Sequence, residues 1–108
     1  MTQALAQKHC VPCEGGTPPL DASHIQRLLT QVVGWEVEDG KQLTKRFAFP
    51  NFVAAVDFVN KITPIAEAEG HHPDLFVKWG EVRVMLWTHA AGGLTENDFI
   101  LAAKLDAA

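Results

Sequence analysis

Residues 75–87 read LFVKWGEVRVMLW, and this stretch decides the fold. Apolar and polar side chains alternate on both sides of Gly80-Glu81, as in two half-buried β-strands joined by a tight turn. Glycine in the first position of a two-residue loop suits a type II′ turn. We therefore predict a β-hairpin in which Val77 pairs with Val84 and the apolar side chains of both strands face one core.

The open end of this hairpin carries histidines on both strands. If the predicted pairing continues, His72 lies opposite His89, at a distance where directly opposed side chains touch. Pro73 lacks an amide hydrogen, so the ladder is expected to open there. We expect the histidines to lie on the sheet face that points away from the core. Three large apolar side chains share that face: Phe76, Met85 and Trp87.

Residues 35–49 predict a second hairpin, again from alternating apolar and polar side chains. A two-residue loop at Asp39-Gly40 would place Trp35 on the same face as a threonine. A three-residue loop over residues 38–40 pairs Trp35 with Leu43 and keeps the apolar faces together. It also puts Gly40 in the left-handed position that a type I turn plus bulge requires. We prefer the three-residue loop.

Apolar residues at helical spacing predict three helices. The first follows Asp21 as N-cap and ends at Gly34, the second covers residues 51–69 with Pro64 inside it, and the third opens at Thr95. Two of the predicted helices carry an apolar stripe that should be buried. The stripes are Ile25, Leu28, Leu29, Val32 and Val33 in the first, and Phe52, Ala55, Val56, Val59, Ile62 and Ala66 in the second.

The element order α-β-β-α-β-β-α predicts an α+β fold, with a four-stranded antiparallel sheet and three helices packed on one face. A chain of 108 residues has room for one such core. We expect residues 1–20 to be an N-terminal arm and residues 21–108 to be a single domain.

Composition excludes several function classes. The formal charge of −4 and a pI near 5.6 argue against the basic stripe that nucleic-acid binding needs. No apolar stretch approaches the roughly 20 residues of a membrane span. Residues 1–7 lack a basic region followed by an apolar one, so no secretory signal is expected. The predicted location is therefore the cytoplasm.

Cysteine occurs twice, at Cys10 and Cys13. This C-x-x-C spacing could supply half of a zinc site, which His9 and His24 would complete, or it could form a redox pair. The glycine- and proline-rich residues that follow are loop material, which suits neither context. We favour two reduced thiols in the arm.

Two short stretches carry candidate chemistry: residues 67–74, which include the adjacent pair His71-His72, and Thr88-His89. An imidazole has an ordinary pKa of about 6.5, so near neutral pH one ring can act as acid while another acts as base. Loss of water from a carbinolamine needs such a pair. One group protonates the departing hydroxyl, and another removes a proton from the neighbouring nitrogen. Neither a redox cofactor nor a metal is required.

Each of these residues also has a purely structural interpretation. Histidines beside a proline turn often hydrogen-bond to loop carbonyls. Glu67 could be a solvated helix residue with His71 as its i, i+4 neighbour. Asp98 fits a capping box with Thr95 and is interpreted first as a helix cap.

Two further alternatives concern zinc and the tryptophans. Three imidazoles with an open coordination position form a catalytic zinc pattern, so His71, His72 and His89 could bind zinc. Adjacent histidines rarely converge on one ion, and we do not predict a metal. Trp79 and Trp87 are interpreted as packing residues rather than as surfaces for a substrate.

In combination, these motifs resemble the signature of the pterin-4a-carbinolamine dehydratases, also called the dimerisation cofactor family. The resemblance extends from about Leu20 to Leu105. The motifs that carry it are Glu67-x3-His71-His72-Pro73, the aromatic Trp79, Thr88-His89 and Gly93-Leu94-Thr95-Glu96-x-Asp98.

The resemblance implies an α+β enzyme that dehydrates 4a-hydroxytetrahydropterins to quinonoid dihydropterins without a cofactor. This reaction recycles the pterin of aromatic amino-acid hydroxylases such as phenylalanine hydroxylase. By the same resemblance, His71 and His89 are the catalytic acid/base groups. The remaining site residues would bind or support the pterin: His72, Pro73, Thr88, Glu67 and Asp98.

The resemblance also implies a homo-oligomer, either a dimer or a tetramer, and a rival function. Animal members act as dimerisation cofactors of a transcription factor, so a non-catalytic module that regulates a hydroxylase or its expression is the alternative. The chain departs from animal members at Gly70, Trp87 and Ala90, where those proteins carry aspartate, serine and glutamate. These departures leave the identity of the natural pterin open.

Overall fold

The computed structural model describes residues 4–10 and 18–108. It contains three α-helices and four strands in the predicted order, together with 3-10 turns at Leu5–Gln7 and His89–Ala91. The helices are α1 (Ala22–Leu29), α2 (Phe52–Glu69) and α3 (Glu96–Asp106). The strands are β1 (Glu36–Glu38), β2 (Gln42–Ala48), β3 (Asp74–Lys78) and β4 (Glu81–Leu86).

The strands form one antiparallel sheet in the order β1-β2-β4-β3. Its inner face is apolar because alternate residues of the two central strands point the same way. The inner side chains Leu43, Val82, Val84 and Leu86 are fully buried and pack with the buried faces of the helices. The predicted α+β fold, with three helices on one face of the sheet, is confirmed.

A polar side chain caps the start of each helix, at Asp21 and Thr95 as predicted and at Asn51 for α2. Asp21 accepts a hydrogen bond from the His24 amide, and Asn51 accepts one from the Ala54 amide. Thr95 and Asp98 form the predicted capping box of α3. Helix α2 contains Pro64 and ends at Gly70, which has a φ of 62° that favours glycine.

The pairing predicted for the β3–β4 hairpin is wrong by two residues. Val77 pairs with Val82 instead of Val84, and the two-residue loop is Trp79-Gly80 instead of Gly80-Glu81. Gly80 supplies the positive φ, 75°, from the second loop position rather than the first. A shift of two keeps every side chain on its predicted face. The ladder ends at Asp74, so His72 and His89 are not paired.

The β1–β2 pairing is also displaced by two residues. Val37 pairs with Leu43, so Leu43 does not pair with Trp35, and the three loop residues are 39–41 rather than 38–40. Gly40 has the predicted positive φ, 66°, but Asp39 has one as well, 55°. The short polar side chain of aspartate tolerates this conformation better than most. The turn therefore moves one residue along the chain.

Two residues of the predicted apolar stripes are exposed. Val33 lies beyond the end of α1 and is 82% exposed, while Phe52 is in the first turn of α2 and 49% exposed. The buried aromatic of α2 is instead Phe58, whose ring packs against Phe47 and Phe49 of the β2 end. The buried residues of α2 thus begin at Ala55, and its first turn is exposed.

The N-terminal arm packs on the helical layer. Leu5 belongs to the buried core, and Lys104 of α3 donates a hydrogen bond to the Ala6 carbonyl. Cys13, half of the C-x-x-C motif, lies outside the described residues. Within the described ranges, no helix is long and apolar enough to cross a membrane.

Candidate active site

A pocket of about 560 Å³ opens where the end of the β3–β4 hairpin meets the C-terminal end of α2 and the start of α3. All three predicted histidines line it. The lining residues are Cys10, Glu69, Gly70, His71, His72, Pro73, Asp74, Trp87, Thr88, His89, Ala90 and Asn97. The hairpin and the helix end thus bring together side chains that are distant in sequence.

His71 is held by a buried carboxylate. Its Nε2 lies 2.6 Å from Oδ1 of Asp98, which is fully buried in α3. A carboxylate only accepts hydrogen bonds, so Nε2 is the donor and Nδ1 is left as the second, acceptor nitrogen. The bond directs the imidazole toward the helices. The sequence predicted that His71 lies on the open face of the sheet, and this prediction is wrong.

Asp98 is the centre of a polar network. Its Oδ2 accepts from the Thr95 amide and from the Thr88 hydroxyl, both at 2.9 Å. The Thr95 hydroxyl is 2.9 Å from that of Thr88 and donates to it, since the Thr88 proton is already used. These bonds offset the cost of burying a charge. Asp98 is both the predicted helix cap and the partner of His71.

His72 and Glu67 form a separate, exposed pair with Nε2 2.8 Å from Oε2. Glu67 does not line the main pocket, and its carboxylate contacts His72 rather than the expected i, i+4 neighbour His71. Because Glu67 belongs to α2, the bond turns His72 toward the helical side of the sheet. The prediction that His72 faces away from the core is wrong for the same reason as for His71.

His89 stacks on the indole ring of Trp87, with ring centroids 3.8 Å apart and an angle of 33° between the planes. Trp87 follows β4 and belongs to the open-face series of side chains. His89 is thus the one catalytic candidate that lies on the predicted face. Trp79, by contrast, is 71% exposed in the β3–β4 loop at the other end of the hairpin.

The arm supplies part of the pocket wall. The Cys10 amide donates to Oε1 of Glu69 at 2.6 Å, and the Cys10 Sγ lies 3.6 Å from the Asn97 carbonyl. Burial, followed by the charge of Glu69, raises the pKa of the Cys10 thiol to about 12. This thiol is therefore protonated at neutral pH.

Most of the predicted site residues line this pocket or lie next to it, and several other lining residues were not among them. His71, His72, His89, Pro73 and Thr88 all line the pocket, and Asp98 lies directly behind it. Trp87, Glu69 and Asn97 also line it. Trp87 was interpreted as a packing residue, and neither Glu69 nor Asn97 was predicted as a site residue. Glu69 reaches the pocket as the last residue of α2, and Asn97 reaches it from the first turn of α3.

The described residues test one of the two zinc hypotheses, the site formed by His71, His72 and His89, but not the site that used Cys13. Within residues 4–10 and 18–108, no group of three or more histidine, cysteine, aspartate or glutamate side chains has an arrangement that could hold a metal ion. A site that used Cys13 lies outside those ranges.

Together, the helix-covered antiparallel sheet and the histidine-lined pocket at its hairpin end define a class of α+β proteins. The family model for pterin 4 alpha carbinolamine dehydratase matches residues 18–108. Relatives named as pterin-4-alpha-carbinolamine dehydratases are 53% identical in Rickettsia canadensis, over 94% of both chains, and 49% identical in Rubrobacter xylanophilus, over 94% of this chain and 95% of the relative.

Two solved structures share the fold. The crystal structure of a transcriptional coactivator/pterin dehydratase from Brucella melitensis superposes with a TM-score of 0.78 at 34% identity, over 82% of this chain and 96% of that one. A pterin dehydratase-like RuBisCO assembly factor of the alpha-carboxysome gives 0.58 at 25% identity, over 68% and 87%.

The chain belongs to the pterin-4a-carbinolamine dehydratase family, a family of hydro-lyases. This confirms the resemblance of the motifs and the expectation of a dehydratase.

Proposed function

We propose that this protein removes water from a 4a-hydroxytetrahydropterin to form the quinonoid dihydropterin, by acid/base catalysis at His71 and His89. The observation that supports this most strongly is that both imidazoles line one pocket and that Asp98 holds the first through Nε2. Family membership supplies the substrate class.

In the proposed reaction, His71 is the base and His89 is the acid. The Asp98 carboxylate stabilises the positive charge that His71 gains when Nδ1 takes the proton from N5 of the pterin. The electron pair of that N–H bond forms the C4a–N5 double bond, and the C4a–O bond breaks. His89 donates a proton to the departing hydroxyl, which leaves as water. Two proton exchanges with solvent restore the site.

The other pocket residues have binding roles in this proposal. His72, oriented by Glu67, contacts the pterin at the exposed rim together with Pro73. Thr88 acts through its hydrogen bond to Asp98, because its hydroxyl is buried and already used. We propose further that the reaction recycles the pterin of an aromatic amino-acid hydroxylase such as phenylalanine hydroxylase. In this proposal the protein acts in the cytoplasm and as a homo-oligomer.

The test follows the loss of 4a-hydroxytetrahydropterin, generated in situ by a hydroxylase, with and without the protein. We expect wild type to accelerate it, and kcat/KM to fall about tenfold or more in His71→Ala and His89→Ala. His72→Ala should mainly raise KM. His24→Ala is the matched control, since His24 is an exposed histidine of α1 bonded to Asp21.

Two results would contradict the proposal. One is a wild-type protein that leaves the spontaneous rate unchanged. The other is full activity in both His71→Ala and His89→Ala. A regulatory function is the second candidate, because the Brucella melitensis neighbour is called both coactivator and dehydratase. Inactive wild-type protein that still bound a hydroxylase or its regulator would favour that candidate.

A further inference from the structure

The three imidazoles of the pocket are oriented by different means. His71 bonds to Asp98 and His72 bonds to Glu67, each through Nε2. Among the described residues, the His89 imidazole has no hydrogen-bond partner, and its ring contact is with Trp87. His89 therefore contacts an indole ring, whereas His71 and His72 each contact a carboxylate.

The local backbone explains why these two rings meet. Thr88 is extended, with φ −105° and ψ 105°, so its neighbours on either side project in the direction opposite to its own side chain. The Thr88 hydroxyl points inward to Asp98. Trp87 and His89 consequently share the outward side, where their rings stack at the edge of the pocket.

A stack constrains an imidazole without using its nitrogens. A hydrogen-bonded histidine gives one nitrogen to its partner, whereas a stacked one keeps both for the substrate and for solvent. The electron-rich face of an indole also attracts a cationic ring. Such a contact suits a group that must donate a proton to a departing hydroxyl and then take up another proton from water.

We propose that Trp87 is the positioning residue of His89: its indole face fixes the imidazole in the orientation from which the proton is delivered. The inference rests on the proposed role of His89 as the acid. Proton transfer requires hydrogen-bond distance and alignment, so a ring free to rotate would seldom be productive. The effect of losing Trp87 should therefore appear in kcat.

The experiment compares Trp87→Leu, Trp87→Phe and Trp79→Leu in the pterin dehydration assay. Trp87→Leu keeps apolar bulk but removes the aromatic face, and we expect kcat to fall about tenfold with a smaller change in KM. Trp87→Phe restores a stacking surface and should retain most of the activity. Trp79→Leu makes the same change at an exposed tryptophan distant from the pocket and should behave as wild type.

Two further measurements separate positioning from other roles. In the His89→Ala background, Trp87→Leu should have no additional effect, because the residue acts through His89. In NMR spectra, the His89 ring protons should lose their ring-current shift in Trp87→Leu and keep it in Trp87→Phe. Thermal unfolding of each variant shows whether a loss of activity comes from misfolding. If Trp87→Leu is misfolded, the activity of Trp87→Phe and the NMR spectra test the inference instead.

Wild-type kcat in Trp87→Leu, or an equal loss in the His89→Ala background, would overturn the inference. A loss confined to KM would also overturn it and would make Trp87 a surface for the pterin. Failure of the proposed function is distinguishable, because it would appear as an inactive wild type or a fully active His89→Ala. The ring-current measurement tests the stack without any turnover.

Discussion

At the scale of the residue, Asp98 shows how one side chain serves folding and chemistry together. Its carboxylate caps α3 through the Thr95 amide, accepts from Thr88 and holds His71. The cap alone would be satisfied by a partly exposed side chain. Full burial means that each bond is made without competition from water, so the same charge fixes the imidazole.

Asp98→Asn should weaken both roles while it keeps the size of the side chain. We expect the free energy of unfolding to fall by about 1–3 kcal/mol, because an amide nitrogen replaces one charged acceptor. We also expect kcat/KM to fall about tenfold or more. Urea denaturation and the pterin assay measure the two effects.

Asp21→Asn is the matched control for that substitution. Asp21 caps α1 from an exposed position, and asparagine is an equally good N-cap. Stability should change by no more than about 0.5 kcal/mol, and activity should stay at the wild-type level. An Asp98→Asn variant as stable and active as this control would show that the buried network is dispensable.

At the scale of the element, the C-terminal end of α2 presents the histidine pair. Gly70 terminates the helix with a φ of 62°, and the next two residues are His71 and His72. A Cβ added at Gly70 would meet no atom within 4 Å. Substitution there therefore tests the backbone conformation alone, without a steric clash.

Gly70→Ala should destabilise the protein by about 1–2 kcal/mol, the cost of a left-handed alanine. Gly40→Ala is matched to it, with a φ of 66° and equally open surroundings in the β1–β2 loop. Both variants should lose similar stability in thermal or urea unfolding. Only Gly70→Ala should also lower kcat/KM, because it moves the His71 backbone. Equal activity in the two variants would separate the helix end from catalysis.

The elements themselves were predictable because their signals are local. Apolar spacing, N-caps and glycines act within one or two turns, and they correctly indicated all three helices and both hairpins, although α1 ends at Leu29 rather than at the predicted Gly34. The hairpin registers were not predictable to the residue. Gly40 and Gly80 take the predicted positive φ, but each occupies a different position in its loop from the one predicted.

At the scale of the whole molecule, Glu69 ties the arm to the site. Its carboxylate, 6% exposed, accepts from the Cys10 amide and contacts His9 and, at 3.9 Å, Lys104 of α3. The Cys10 amide bond is the main reason that the pKa of Glu69 lies below its ordinary value of 4.5. The charged form is therefore favoured in the folded state.

This linkage predicts a pH-dependent contribution to stability. A carboxyl whose folded pKa is lowered stabilises the fold fully above 4.5 and loses that contribution as the pH falls through the folded pKa. Glu69→Gln should cost about 1–3 kcal/mol at pH 7, and its deficit relative to wild type should shrink in acid. Urea denaturation between pH 3 and pH 7, about the range of the carboxyl titration, measures the gap.

Glu36→Gln, the same change at an exposed residue of β1, should show no such convergence with wild type. If the difference in free energy of unfolding between Glu69→Gln and wild type stayed constant across the pH range, the charge of Glu69 would not anchor the arm.

The sequence by itself determined the element order, the faces of the sheet and the residues at its open hairpin end. These follow from periodicity and turn chemistry, which depend on near neighbours. It also predicted that His71, His72 and His89 lie near one another at that end, and all three line one pocket.

Only the tertiary structure decided what each histidine contacts. Asp98 is 27 residues from His71, and the arm reaches Glu69 from 59 residues away. Such contacts depend on how α3 and the arm dock on the sheet, and that docking is set by the summed burial of many side chains rather than by any local pattern. In the folded protein, the buried Asp98 carboxylate holds His71, and Glu67 holds His72 at the rim of the pocket. His89 stacks on Trp87.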